Sequence, residues 1–383
     1  MRLAFDEQIF AIQEFGGISR LFAELAKQYA GAVPTEARHT ETGPTETRST
    51  SQTHSGVSLE PMHAPIVNRY ILGHPEVERA LDVWDAGSPW RALGRYFTRR
   101  RPSTSVDVLH STFYLPHGLA GYPGARRIVT VHDMIPELLP KTRRRLDFIT
   151  VKRRYVMSAD HVICVSEATR QDLLRCYGPI PAPITVVHHG VDPAFRPGRP
   201  RWQDLPDRYI LYVGNRGQYK DAAVLMEAFA RFSPAEPDTR LLFVGGGPFT
   251  RTERQMLETL GINRVTQQRS LPDAEMPAAY GQALMCVFPS RFEGFGLPAL
   301  EAMACGTPTL LAAGSSLPEV GGDAAAYFTP GDAGELTASI TELARDDAAR
   351  SELSAAGIER AALFTWERTA ANTAEVYRRA LEA

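Results

Sequence analysis

Two glutamates eight positions apart, Glu293 and Glu301, enclose a glycine-rich turn in the run Ser290-Arg291-Phe292-Glu293-Gly294-Phe295-Gly296-Leu297-Pro298-Ala299-Leu300-Glu301. An ionised carboxylate only accepts hydrogen bonds and can take two hydroxyl groups at once, so each glutamate suits a polyol. A glycine turn that opens a helix presents backbone N–H groups and the positive end of the helix dipole, which suits a phosphate. The apolar run 283–288 just ahead reads as a strand leading into this turn. Phosphate beside polyol is the chemistry of a sugar nucleotide.

Four further clusters follow the same strand-to-loop pattern. In Tyr209-Ile210-Leu211-Tyr212-Val213-Gly214-Asn215-Arg216-Gly217-Gln218-Tyr219-Lys220 a strand ends at Gly214, and Arg216 and Lys220 follow four apart. Two cations beside backbone N–H groups would stabilise a departing pyrophosphate. The bland alternative is a solvated helix start. His132 and Asp133 close the strand 127–131, at the carboxyl end where open α/β sheets bind ligands. A lone histidine is more often structural. Gly16 and Gly17 precede the amphipathic run 21–29 and permit close backbone approach to a phosphate or sugar, or form an ordinary turn. Gly245, Gly246 and Gly247 follow another strand and permit the same approach. They fit neither a dinucleotide fingerprint nor a P-loop.

The elements that must hold these residues alternate from end to end. Short apolar runs at 2–5, 106–110, 127–131, 161–165 and 185–188, then at 209–213, 240–244, 265–268, 283–288 and 307–311, are separated by longer helical patterns. That alternation predicts an α/β protein with parallel sheets flanked by helices. The 383 residues suit two domains better than one. Pro193, Pro197, Pro200 and Pro206, with Pro183 just ahead, mark 190–208 as the linker. The segment 366–383 reads as a helix with Thr365 as cap and Glu367 in its first turn. The polar stretch 35–58 reads as a loop or weakly ordered insertion. The stretch 315–323 reads as structural, with Glu319 as a secondary candidate for ligand contact.

Composition excludes several classes. A net charge of -2 gives no general attraction to nucleic acid. Cys164, Cys176, Cys286 and Cys305 are scattered, without Cys-x-x-Cys spacing, and read as thiols in a reducing cytoplasm. The N-terminus turns acidic at once and is not expected to act as a signal peptide. No apolar run reaches the ~18 residues of a membrane span. Seven of the fourteen residues 141–154 are basic, with Asp147 the sole acid. That segment is a candidate contact for the anionic inner face of a membrane or a lipid-diphosphate acceptor, or else a solvated face. Arg99, Arg100 and Arg101 form a smaller patch of the same kind.

The Glu293–Glu301 run closely resembles the signature of family 4 glycosyltransferases, a Glu followed by Gly-Phe-Gly and a second Glu eight positions on. Arg216 and Lys220 resemble the family's Arg-x-x-x-Lys diphosphate pair, and His132-Asp133 its strand-end His-Asp. Gly-Gly-Ile-Ser-Arg at 16–20 is similar to the first glycine loop of members that assemble polysaccharides. The resemblance implies a GT-B fold, two Rossmann-like domains facing across a cleft. Residues 1–190, joined by the helix 366–383, would form the acceptor side, and 191–365 would bind the donor. It implies a retaining enzyme that moves a hexose, with mannose favoured and GDP-mannose as the favoured donor, from a nucleoside-diphosphate sugar to a glycan or lipid-linked acceptor. Glu293 would bind the donor sugar. The backbone from Gly294 through Phe295 and Gly296 to Leu297 would meet sugar and phosphate, and Glu301 the ribose. Arg216 and Lys220 would hold the diphosphate, and His132 would contact the sugar. Gly16, Gly17, Gly214 and Gly245 would line the donor site.

The sequence contains no Asp-x-Asp, the motif on which metal-dependent GT-A glycosyltransferases hold a cation. With two protein cations in place, no metal and no cofactor are expected. Two rivals are a non-catalytic sugar-nucleotide-binding subunit and another GT-B enzyme, such as a sugar-nucleotide epimerase or a phosphorylase. An eroded Glu293, Arg216 or Lys220 would mark the former, and all three are present.

Overall fold

The protein is described by a computed structural model covering residues 1–30, 56–88, 105–116, 122–139, 143–200 and 204–383. The chain forms two compact units. The first comprises residues 1–165, 170–188 and 366–383; the second comprises 166–169 and 189–365. The expected features at 35–55, at 99–101 and at 141–142 lie outside the described residues.

The second unit is built on six parallel strands in the order β11-β10-β9-β12-β13-β14. These are β9 (Tyr209–Val213), β10 (Arg240–Val244), β11 (Thr266–Arg269), β12 (Met285–Phe288), β13 (Thr309–Ala312) and β14 (Ala326–Phe328). Counted from β9, that order is 3-2-1-4-5-6, the doubly wound arrangement, with its switch point between β9 and β12. Strands covered on both faces need continuous apolar runs, and Ile210, Leu211, Leu241, Leu242, Phe243, Met285, Cys286 and Val287 are fully buried. The tyrosines of β9 are tolerated because their hydroxyls find carbonyls, Tyr209 at Ala279 (2.6 Å) and Tyr212 at Asn215 (2.5 Å).

The first unit repeats the plan with parallel order β2-β1-β5-β6-β7-β8. Here β1 is Arg2–Phe5, β2 Ser58–Leu59, β5 Val108–Ser111, β6 Arg126–Val131, β7 His161–Cys164 and β8 Ile184–Val186. A separate parallel pair joins β3 (Ala64–Ile66) to β4 (Val83–Asp85). The strands expected at 2–5, 209–213 and 240–244 form with those bounds, and the other seven shift by up to two residues at either end. The sequence reading did not include β2, β3, β4 or β14. Each has three residues or fewer, too short to show a period.

The C-terminal helix Trp366–Glu382 belongs to the first unit, although the second unit separates it in sequence from the rest. Its docking is chemical as well as apolar. Tyr377 Oη lies 2.7 Å from His110 Nδ1, and His110 Nε2 lies 2.7 Å from Thr130 Oγ1. Tyr29 Oη donates to the Ala370 carbonyl at 2.9 Å. His110 is fully buried, and burial pushes its imidazole from 6.5 down to about 3. The folded state therefore holds it neutral, whereas the unfolded chain protonates it below about pH 6.5. Its contribution is intact above pH 6.5 and is lost progressively as pH falls toward 3, on the order of 4 kcal/mol at the limit. Denaturant unfolding across pH 7 to 4 is expected to show a flatter pH dependence for His110→Gln than for the parent chain. Parallel curves would contradict the assignment.

Candidate functional site

Strands β9 and β12 are hydrogen-bonded neighbours, with Met285 opposite Ile210 and Cys286 opposite Leu211. The loops that leave their carboxyl ends therefore emerge side by side at the switch point. Further bonds stitch them together: Arg291 N donates to the Tyr219 carbonyl (2.8 Å) and Arg291 Nε to Asp221 Oδ2 (2.6 Å). At the centre, Lys220 Nζ lies 2.6 Å from Glu293 Oε1. Only 16% of the lysine side chain and 12% of the glutamate side chain remain exposed, so water screens this pair less than a surface pair. Lys220 ends a 3-10 turn, Gln218–Lys220, whose N–H at Lys220 bonds the Gly217 carbonyl at 2.8 Å.

Gly296, at φ +110, is the residue before the helix Leu297–Ala304, and a Cβ there would stand 3.1 Å from Leu317 Cδ2. Only glycine takes that conformation routinely, which accounts for the second glycine of the motif. Glu301 lies on the helix, buried, and accepts from Tyr280 Oη at 3.0 Å. Phe295 is buried against His189 and Phe364, with ring centroids 5.1 and 5.9 Å away, and anchors the loop. A ligand would meet its backbone N–H rather than its ring.

Arg216 has a different setting from Lys220. Its side chain is 3% exposed. Its guanidinium donates to Glu253 Oε1 (2.7 Å) and to the carbonyls of Gly245 (3.0 Å), Gly247 (2.9 Å) and Pro248 (3.2 Å), with its carbon 4.9 Å from the Phe249 ring centre. Gly245, Gly246 and Gly247 all have positive φ (+89, +69 and +69), which turns these carbonyls onto the guanidinium. In this structure Arg216 thus holds the triple-glycine loop. Gly214, at φ +135, ends β9 beside it, and a Cβ on Gly245 would stand 3.4 Å from the Gly214 carbonyl. A Cβ on Gly246 would lie 2.8 Å from Arg216 Nη1 and 3.2 Å from the Gly214 carbonyl. Gly246→Ala is expected to lower stability by about 1–3 kcal/mol and to displace Arg216. A melting curve unchanged from the parent would refute this.

In the first unit the carboxyl ends of β1 and β5 make a second polar cluster. Asp6 accepts from Thr112 N (3.0 Å), Thr112 Oγ1 (2.5 Å) and Gln8 Nε2 (2.6 Å). Burial pushes its carboxyl up to about 7, opposed by the bonds from Thr112 and Gln8. His132 follows β6, is 7% exposed and meets the edge of Phe22 at 5.9 Å. Gly16, at φ +154, would drive a Cβ into Gln13, and Gly17 begins the helix Gly17–Ala30. The structure thus brings Lys220, Glu293, the 294–297 backbone and Glu301 to one end of the second sheet, with Arg216 on the adjoining glycine loop. His132, Gly16 and Gly17 belong to the first unit.

The structural reading of 315–323 agrees with what Glu319 does: its oxygens accept from Glu167 N (2.8 Å) and Ala168 N (3.2 Å) at the start of the helix Glu167–Tyr177. One expectation changes: the basic segment is not one solvated face, because Lys152 is buried and paired with Glu137 at 3.1 Å. Sequence reasoning missed Tyr280, Ser166 and Thr169, and it placed Ser315 and Ser316 in a structural stretch without linking them to the 293–295 backbone, which Ser166, Thr169, Ser315 and Ser316 hold. Their types carry no period or spacing that links them to the motif.

Residues 15–195 match Glycosyltransferase Family 4, and residues 201–360 match Glycosyl transferases group 1. The chain is 30% identical over 284 residues to the O-antigen chain mannosyltransferase B of Escherichia coli, covering 70% of this chain and 72% of that protein. It is 30% identical over 334 residues to the MMP alpha-(1->4)-mannosyltransferase of Mycolicibacterium hassiacum, covering 80% and 79%. Among solved structures it is similar to HepE of Anabaena in complex with UDP and glucose (TM-score 0.71, 17% identity, 99% and 100% covered). It is also similar to the sucrose-phosphate synthase of Thermosynechococcus elongatus (TM-score 0.69, 21% identity, 99% and 98% covered). The doubly wound parallel sheets agree with those GT-B structures, and the sequence matches span both units. The chain belongs to glycosyltransferase family 4, as a mannosyltransferase-like enzyme of the GT-B fold.

Proposed function

We propose that this glycosyltransferase moves a hexose, mannose in the favoured reading, from a nucleoside-diphosphate sugar to a glycan or lipid-linked acceptor, with retention and without a metal ion. The carrying observation is the Lys220–Glu293 pair, 2.6 Å apart beside the glycine loop at the switch point. A cation and a carboxylate in contact supply both needs of the donor at once, charge for the diphosphate and an acceptor for sugar hydroxyls. Donor entry would transfer Lys220 from Glu293 to phosphate and release Glu293 to the sugar. Glu301, oriented by Tyr280, would take the ribose hydroxyls. Arg216 would reach the diphosphate by exchanging Glu253 for phosphate. His132 would contact the sugar.

Retention would follow from attack on the same face that the diphosphate leaves. A leaving phosphate oxygen would accept the acceptor proton, so the chain need supply no separate base. The mannosyl reading is supported by the two mannosyltransferase relatives. No described helix is long and apolar enough to cross a membrane. The exposed residues of the helix Arg143–Met157 include Arg143, Leu146, Arg153 and Arg154 beside Asp147 and Thr150, and this excess of cations over the one acid supports peripheral contact with anionic lipid.

The test is calorimetric titration with GDP-, UDP- and dTDP-linked sugars in EDTA, followed by assignment of the product's anomeric configuration. Binding of one nucleotide class without metal, and a product that keeps the donor's anomeric configuration, are expected. Binding that requires a divalent ion, or an inverted product, would overturn the corresponding part.

A further inference from the structure

Three successive carbonyls of the donor loop are held by hydroxyl groups. Ser315 Oγ donates to the Glu293 carbonyl at 2.7 Å and accepts from Glu293 N at 3.1 Å. Ser166 Oγ and Thr169 Oγ1 donate to the Gly294 carbonyl at 2.7 and 3.0 Å. Ser316 Oγ lies 2.8 Å from the Phe295 carbonyl and 3.1 Å from that of Glu293. Ser166 and Ser316 are fully buried, and Thr169 nearly so. Ser315 is held at φ +55, a conformation that non-glycine residues rarely take, and from it the hydroxyl meets both backbone groups of Glu293.

In a planar trans peptide the carbonyl of one residue and the N–H of the next point in opposite directions. Fixing the carbonyls of 293, 294 and 295 therefore fixes the N–H vectors of Gly294, Phe295 and Gly296 away from the hydroxyls. We propose that Ser166, Thr169, Ser315 and Ser316 are positioning residues that aim these three N–H groups at the donor diphosphate. The inference rests on the donor-site reading above and adds to it the groups that prepare the site before donor arrives. Without such a clamp, each peptide unit in a glycine loop could rotate its N–H away, and that freedom would be lost on binding.

Ser315→Gly tests the idea cleanly, since glycine accepts the same φ while losing the hydroxyl. Ser316→Ala and Thr169→Val remove the others, and Ser316→Thr restores a hydroxyl. The parent chain is first titrated with GDP, UDP and dTDP. Each variant is then titrated with whichever diphosphate binds and with the matching nucleoside, and its fold is checked by thermal melting. The clamp predicts at least a tenfold loss of diphosphate affinity in Ser315→Gly and Ser316→Ala, nucleoside affinity within twofold of the parent, and recovery in Ser316→Thr. Unchanged diphosphate affinity, or equal losses for diphosphate and nucleoside, would overturn the clamp while leaving the donor site standing. A parent chain that binds none of the three diphosphates would overturn the donor site and the clamp with it.

Discussion

Lys220→Ala is expected to lower the turnover number for sugar transfer about a hundredfold, which corresponds to ~3 kcal/mol of transition-state stabilisation. The lysine is the cation nearest the glycine loop's glutamate, at 2.6 Å, and negative charge grows on the leaving diphosphate as the glycosidic bond breaks. Glu293→Gln is expected to abolish most transfer as well, for a different reason and with an opposite signature in binding. The glutamine keeps the shape and removes the charge that holds Lys220, so affinity for the nucleoside diphosphate alone should rise severalfold. Mere repulsion between Glu293 and phosphate would also raise it. The Lys220→Met background separates the two: the gain vanishes there if Lys220 exchanges partners, and persists if the effect is through-space repulsion. Full transfer by both single variants would refute the site.

Lys152→Ala is expected to destabilise the first unit by roughly 3–5 kcal/mol, the loss typical when one member of a buried ion pair is removed. The side chains of Lys152 and Glu137 are only 2% and 5% exposed, with Nζ 3.1 Å from Oε2. Glu137 Oε1 also accepts from Tyr177 Oη at 2.5 Å, so the carboxylate would keep one bond but lose its counter-charge. A fall in melting temperature of about 10 °C follows for a unit of this size. Replacing both charges, Lys152→Met with Glu137→Gln, should recover a large part of it. Lys152 Nζ also donates to the Asp133 carbonyl at 2.6 Å, next to His132. The single variant should therefore lose activity at temperatures where it is still folded. Unaltered melting of Lys152→Ala would show that the pair does not hold the unit together.

Much of the fold was legible because its signals are local. Most of the ten expected strands follow from apolar runs, which the covered faces of parallel sheets favour, whereas the edge strand β11 is the polar Thr-Gln-Gln-Arg. Helix Leu297–Ala304 follows from the Gly-Leu-Pro turn. What failed was also local in cause. Strands of two or three residues have no period, and a basic run on a helix does not say which of its members turns inward, as Lys152 does. The structural role of Glu319 was read from sequence, but its partners were not. Its partners, Glu167 and Ala168, lie some 150 residues earlier.

By itself the sequence determined which residues are the candidates for the chemistry we propose: Glu293, Glu301, Lys220 and Arg216, each close to a glycine turn at the end of a strand. Those types are fixed by charge and by backbone freedom, both properties of single residues and their neighbours. Tertiary structure alone decided which of them meet. Lys220 and Glu293 touch because β12 pairs with β9 where the strand order reverses, whereas Arg216 turns to the Gly245–Pro248 carbonyls and Glu253. Tertiary structure also recruited Ser166, Thr169, Ser315 and Ser316 to the motif's carbonyls, from up to 128 residues away. A hydroxyl has no preference for one carbonyl over another until packing puts the two within 3 Å, and packing is a property of the whole sheet.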